Sequence, residues 1–145
     1  MSMPQPTITR SSALVGWRLL ALTYDFFPML ALWLGTAAAF TALHGDAVRG
    51  GWLGGVEFAA LWAVAGLYAT ISWRRGGQTI GMRPWRLRVV AAGEGGGAPL
   101  YCLWLRYAIG SVSLLLAGAG FWWAWLDRDR LTWHDRFSGT RMLRQ

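Results

Sequence analysis

Between Ala13 and Leu43 the sequence is almost continuously apolar, interrupted by the charges of Arg18 and Asp25. At a rise of about 1.5 Å per residue, a helix from Leu19 to Leu43 exceeds a hydrocarbon core of about 30 Å, which roughly 20 residues can cross. A second run, Trp52 to Trp73, has Glu57 as its only charge and a tryptophan at each end, where indole rings anchor at headgroup level. Transmembrane helices are therefore predicted over about 15–43 and 52–73, joined by a short polar loop from His44 to Gly51. A cleaved signal peptide is the competing reading of the first run. That run is longer than a signal-peptide core, contains an aspartate and lacks a convincing cleavage site, so the segment is expected to be retained.

Composition points the same way. Hydrophobic residues make up 54% and charged residues 14%, the latter about half the share usual in soluble domains. The basic residues are all arginine, the formal net charge is +7, and the arginines cluster beside the apolar runs. That placement suits the bilayer and its anionic lipids as partners rather than nucleic acid. The single cysteine, Cys102, excludes an intramolecular disulfide and a cysteine-rich metal site. Residues 1–12 read as a flexible tail and 13–145 as one membrane domain.

From Arg74 to Pro99 the character changes, with Arg74, Arg75, Arg83, Arg86 and Arg88 set against Glu94 among many glycines. By the positive-inside rule this loop is predicted to be cytoplasmic in a bacterial inner membrane, as is the amino terminus, and the first loop periplasmic. The third apolar run, Leu100 to Leu126, has two readings. One long span would carry the arginine-rich tail (Arg128, Arg130, Arg136, Arg141, Arg144) to the far side, against the charge bias. Alternatively the chain turns back at Gly118 and Gly120, as a re-entrant or hairpin segment, and leaves the carboxy terminus cytoplasmic. The second reading is favoured because Arg86 to Ala91 and Thr140 to Leu143 look like short strands, which pair only on one side of a bilayer. The predicted fold is thus an all-α membrane protein of two transmembrane helices and a third apolar re-entrant or hairpin segment, with a small cytoplasmic two-stranded element.

Charges inside the membrane cost about 2.5 to 3.5 kcal/mol each on insertion scales, so each needs a partner or a function. Arg18 and Asp25 are seven apart and lie two helical turns from one another on nearly the same face, too far for a direct pair. Arg106 is the expected partner of Asp25, and Arg18 is expected at lipid phosphate or at Asp135 of the tail. Pro28 frees the carbonyl of Tyr24 beside Asp25, which with Thr23 outlines an oxygen-lined cation or proton site; an ordinary proline kink is the plainer account. A second account of all these charges is structural, as a lock between helices.

Gly77-Gln78-Thr79-Ile80-Gly81 lacks the Gly-Lys-Ser/Thr ending of a phosphate loop and reads as a tight turn under a helix end. His134 beside Asp135 has no second histidine on its side of the membrane, so no metal shell and no cofactor are expected. No nucleophile with a base and no paired carboxylates are apparent, which argues against an enzyme.

The arginine and aspartate at Arg18 and Asp25, the segment Gly77-Gln78-Thr79-Ile80-Gly81-Met82, the strand Leu87-Arg88-Val89-Val90 and the ending Thr132-Trp133-His134-Asp135-Arg136-Phe137-Ser138-Gly139-Thr140 together resemble the RDD family over most of the chain. The family's arginine and two aspartates carry over to Arg18, Asp25 and Asp135. One departure is Met82, ahead of Arg83, where a basic residue is common. The resemblance implies a multi-pass membrane protein connected with transport, some members being like cation/proton antiporters. Two functions are therefore expected. The first is ion or small-solute transport by a homo-oligomer, with Asp25 titrating and Ala59, Ala63 and Gly66 packing protomers together. The alternative is an assembly or regulatory subunit that docks a protein partner or anionic lipid through a basic face formed by Arg83, Arg86 and Arg88.

Overall fold

The structure is a computed structural model describing residues 14–93 and 96–145. The expected tail over 1–12 and Glu94 of the loop lie outside those residues. The first apolar run forms α1, Val15–His44, which continues through Pro28 and ends at left-handed Gly45, whose N–H donates to the Thr41 carbonyl at 2.9 Å. The second forms α2, Gly51–Gly76, closed in the same way by Gly77 on the Trp73 carbonyl at 2.8 Å. At about 1.5 Å per residue, 30 and 26 residues give roughly 45 and 39 Å, each enough to cross a bilayer.

The third run is broken. Helix α3, Leu100–Leu115, and helix α4, Ala119–Leu126, meet at 97°. The bend is made by two consecutive left-handed residues, Ala117 (φ 54) and Gly118 (φ 76). Its geometry is re-entrant: Ser111 near the end of α3 accepts from the Trp62 indole at 3.2 Å, only midway along α2. Phe121 and Ala124 of α4 then pack on Val15 at the start of α1. The chain thus returns toward the side from which it entered.

Beyond it lie the short α5, Trp133–Ser138, and a strand, β2, Thr140–Arg144, antiparallel to β1, Leu87–Ala91, with Val89 opposite Met142. The expected two-stranded element is therefore present and ties the carboxy terminus to the loop that follows α2. Its inward positions, Leu87, Val89 and Met142, pack with Ala21, Met82 and Leu103 into the main apolar core. That core sits at one end of the helices.

Two packing expectations are corrected. Gly66 is spent within the chain: a Cβ there would come within 2.8 Å of both the Trp104 and Tyr107 rings, so it lets α3 approach α2 rather than a second protomer. Trp73 is no headgroup anchor. Its indole points inward to Met82 Sδ at 3.4 Å, with the Arg106 guanidinium 5.4 Å from its ring centre.

Candidate functional site

Three elements bring charge together at the core end of the bundle. Arg18, one turn into α1, places Nη2 2.6 Å from Asp135 Oδ2 and donates from Nη1 to Thr132 Oγ1 at 3.0 Å. Arg106 of α3 pairs with Asp135 Oδ1 and donates to Thr140 Oγ1 at 2.8 Å. All three charged side chains are nearly inaccessible. Asp135 also completes a capping box with Thr132, so one carboxylate both starts α5 and holds two guanidiniums. Burial pushes the Asp135 carboxyl up, but Arg106 and Arg18 outweigh it and hold it well below the ordinary carboxylate range. His134 faces Arg18 Nη1 through Nε2 at 3.4 Å and packs against the Phe121 ring at a tilt of 57°. Burial, reinforced by Arg106 and Arg18, lowers its pKa well below the ordinary histidine value, leaving a neutral imidazole.

The Arg18–Asp135 contact named from the sequence is present, whereas Arg106 does not partner Asp25. Residue 106 lies beneath α5, which presents Asp135 to it, while Asp25 is taken by neutral donors from α2 and the turn that follows. Tyr68 O–H donates to Oδ1 at 2.7 Å, Gly81 N–H donates to Oδ1 at 2.8 Å and Thr79 O–H donates to Oδ2 at 2.5 Å. Gly81 is required by this approach, because a Cβ on it would fall 2.7 Å from Asp25 Cγ. The turn Gly77–Gly81 thus docks on α1 through a carboxylate. Thr23 does not join the site; its hydroxyl donates back to the Leu19 carbonyl at 3.0 Å on the exposed side of the helix.

Between these two centres lies a cavity of about 130 Å³ lined at its polar edges by Arg18, Asp25, Arg106 and His134 and elsewhere mostly by apolar side chains. The four buried charges cancel in sum, but not in contact: Asp135 and two arginines leave one positive charge, and Asp25 stands apart from it with no cation in contact among the described residues.

This arrangement of one arginine and two aspartates on a re-entrant membrane scaffold can be set against known proteins. The model of the RDD family matches residues 12–139. The chain belongs to the RDD family. No curated protein and no solved structure matches it. In this RDD protein the three residues matched from the sequence do not form one triad: Arg18 and Asp135 join Arg106, and Asp25 forms a separate centre. Of the basic face, Arg83 and Arg86 are exposed, while the Arg88 stem packs over Gly77 and is half-buried. The ladder sets Arg141 on the same face as Arg88, whereas Arg144, opposite Leu87, points to the other face and lies 4.1 Å over the Trp17 ring.

Tyr68, Thr132 and Thr140 were not singled out as site residues. Thr132 had a local signal in the Thr-x-x-Asp capping pattern ahead of Asp135. Tyr68 and Thr140 had none, since each reaches its partner only across the folded chain.

Proposed function

We propose that this RDD protein takes part in ion or small-solute transport, as cation/proton exchange, with Asp25 as the group that alternates between proton and cation. The observation that carries the reading is a carboxylate within the apolar helix α1, 4% exposed, held by three neutral donors and bordering a cavity. Intramembrane carboxylates without a fixed counter-ion are the usual exchange sites of membrane carriers, because a bound proton or cation offsets the cost of the charge. Two spans and a re-entrant segment enclose too little volume for a full path, so the working unit is an oligomer. The setting in this reading is the bacterial inner membrane, with both chain ends and the basic face in the cytoplasm, which the arginine bias supports.

The test is purified protein in liposomes under an imposed pH gradient, with sodium or potassium outside. Wild type is expected to exchange, and Asp25→Asn, which keeps an acceptor for Gly81 and Tyr68, to lose at least tenfold of the rate. Equal rates, or no exchange by wild type, would end the proposal. A second reading is favoured by the ladder's placing of Arg88 and Arg141 on one face, beside the turn that carries exposed Arg83 and Arg86: a non-transporting assembly or regulatory subunit that docks a protein partner or anionic lipid there. A stoichiometric partner lost on neutralising Arg83, Arg86 and Arg88, from a protein that moves no cation alone, would select it.

A further inference from the structure

We infer that the cavity bounded by α1, α2, α3 and α4 is a binding site for a small apolar monocarboxylate of about the size of benzoate, with its carboxylate at Arg18. Size comes first. The cavity holds about 130 Å³, close to an engineered apolar cavity of roughly 150 Å³ that admits benzene. Most of its wall is apolar, including Leu22, Met29, Leu114 and Phe121, so water gains little there and a hydrocarbon group gains its transfer free energy.

The polar end selects the charge. Arg18 and Arg106 share the single carboxylate of Asp135, which leaves one positive charge uncompensated in contact. Arg18 is 4% exposed, borders the cavity, and its Nε has no hydrogen-bond partner among the described residues. A buried donor left unpaired on a charged group is costly, and a carboxylate oxygen is the acceptor that satisfies both its hydrogen bond and the surplus charge. Asp25 also borders the cavity, but Tyr68, Thr79 and Gly81 already engage its two oxygens. Its charge repels an anion from that wall and so orients the ligand toward Arg18. Leu114, 49% exposed, stands at the lipid-facing rim, so entry is from the bilayer, which suits an acid that partitions into lipid in its neutral form.

The site does not depend on the transport reading, and it is tested at equilibrium. The full chain in phosphatidylcholine nanodiscs is titrated with benzoate, benzyl alcohol, benzylammonium and inorganic phosphate, with empty nanodiscs subtracted. Benzoate is expected to saturate at one per chain and to bind at least tenfold tighter than the other three. Arg18→Gln is expected to lose that preference. Because removing Arg18 also opens the charge cluster, a second variant keeps every charge: Gly110 borders the cavity and a Cβ there meets nothing within 4 Å, so Gly110→Leu fills the space. It should weaken benzoate at least tenfold while the protein stays folded. No uptake beyond empty nanodiscs, equal binding of benzyl alcohol or of phosphate, or unchanged affinity in Gly110→Leu would each overturn the inference.

Discussion

Asp25 and Asp135 are the same residue type, both almost fully buried, and the protein treats them in opposite ways. Asp135 is clasped by two guanidiniums and by the cap of its own helix, so its charge is balanced inside the chain. Asp25 is held by three neutral donors, which fix its position and leave its charge open. A carboxylate balanced in contact acts as a lock; one positioned without a counter-ion is what the proposed exchange needs.

The largest expected effect breaks that contrast if it fails. Asp135→Ala strands two buried guanidiniums and should cost about 3–5 kcal/mol, seen as loss of folded protein or a steep drop in Tm in detergent. Asp25→Asn removes no counter-ion and should leave the protein folded. Equal destabilisation by the two would mean that Asp25 is as much a lock as Asp135.

Gly81→Ala comes next. Its Cβ would meet Asp25 Cγ and the Asp25 backbone nitrogen at 2.7 Å, so the turn must move off α1. Overpacking of this kind costs about 1–3 kcal/mol, and melting in detergent measures it. An unchanged Tm would show the turn to be free of α1.

Acid should weaken the Asp135 centre by a smaller, graded effect. His134 is kept neutral in the native state by burial and by Arg106 and Arg18, while Asp135 also faces it. The unfolded chain takes up a proton near the ordinary histidine value and the native chain does not. Stability therefore falls as pH drops below about 6.5, by at most about 1.4 kcal/mol per pH unit. The depressed Asp135 carboxyl contributes stability that is complete above its ordinary value and is lost as pH falls below about 4. His134→Gln should flatten the first phase of a pH-melting series and preserve the second. A first phase that survives the substitution would assign it elsewhere.

The smallest effect is expected at the surface, where Arg49 lies 3.8 Å from Asp46 with both side chains exposed. Arg49→Ala should change Tm by the equivalent of under about 1 kcal/mol. A loss approaching that of Asp135→Ala would erase the distinction between buried and exposed pairs.

Local composition was enough to announce two spans, a basic loop, a broken third run and two short strands, because each depends on neighbours in sequence: apolar length, arginine clustering, glycines at a bend, alternation in a strand. Arg18, Asp25, Arg106 and Asp135 were likewise visible as charges that the membrane would not leave unpartnered. Which charge meets which was not. Arg106 looked suited to Asp25 while α5 remained an unplaced fragment, and only in the folded chain, with α5 laid on α3 and β2 paired to β1, do Asp135 and Thr140 meet Arg106. Gly66 looked like a surface for a second protomer until α3 was laid on it. Burial depth can be inferred from a run of residues, but partner choice depends on distances between segments far apart in the chain, and those exist only once the helices have crossed and the re-entrant segment has turned back.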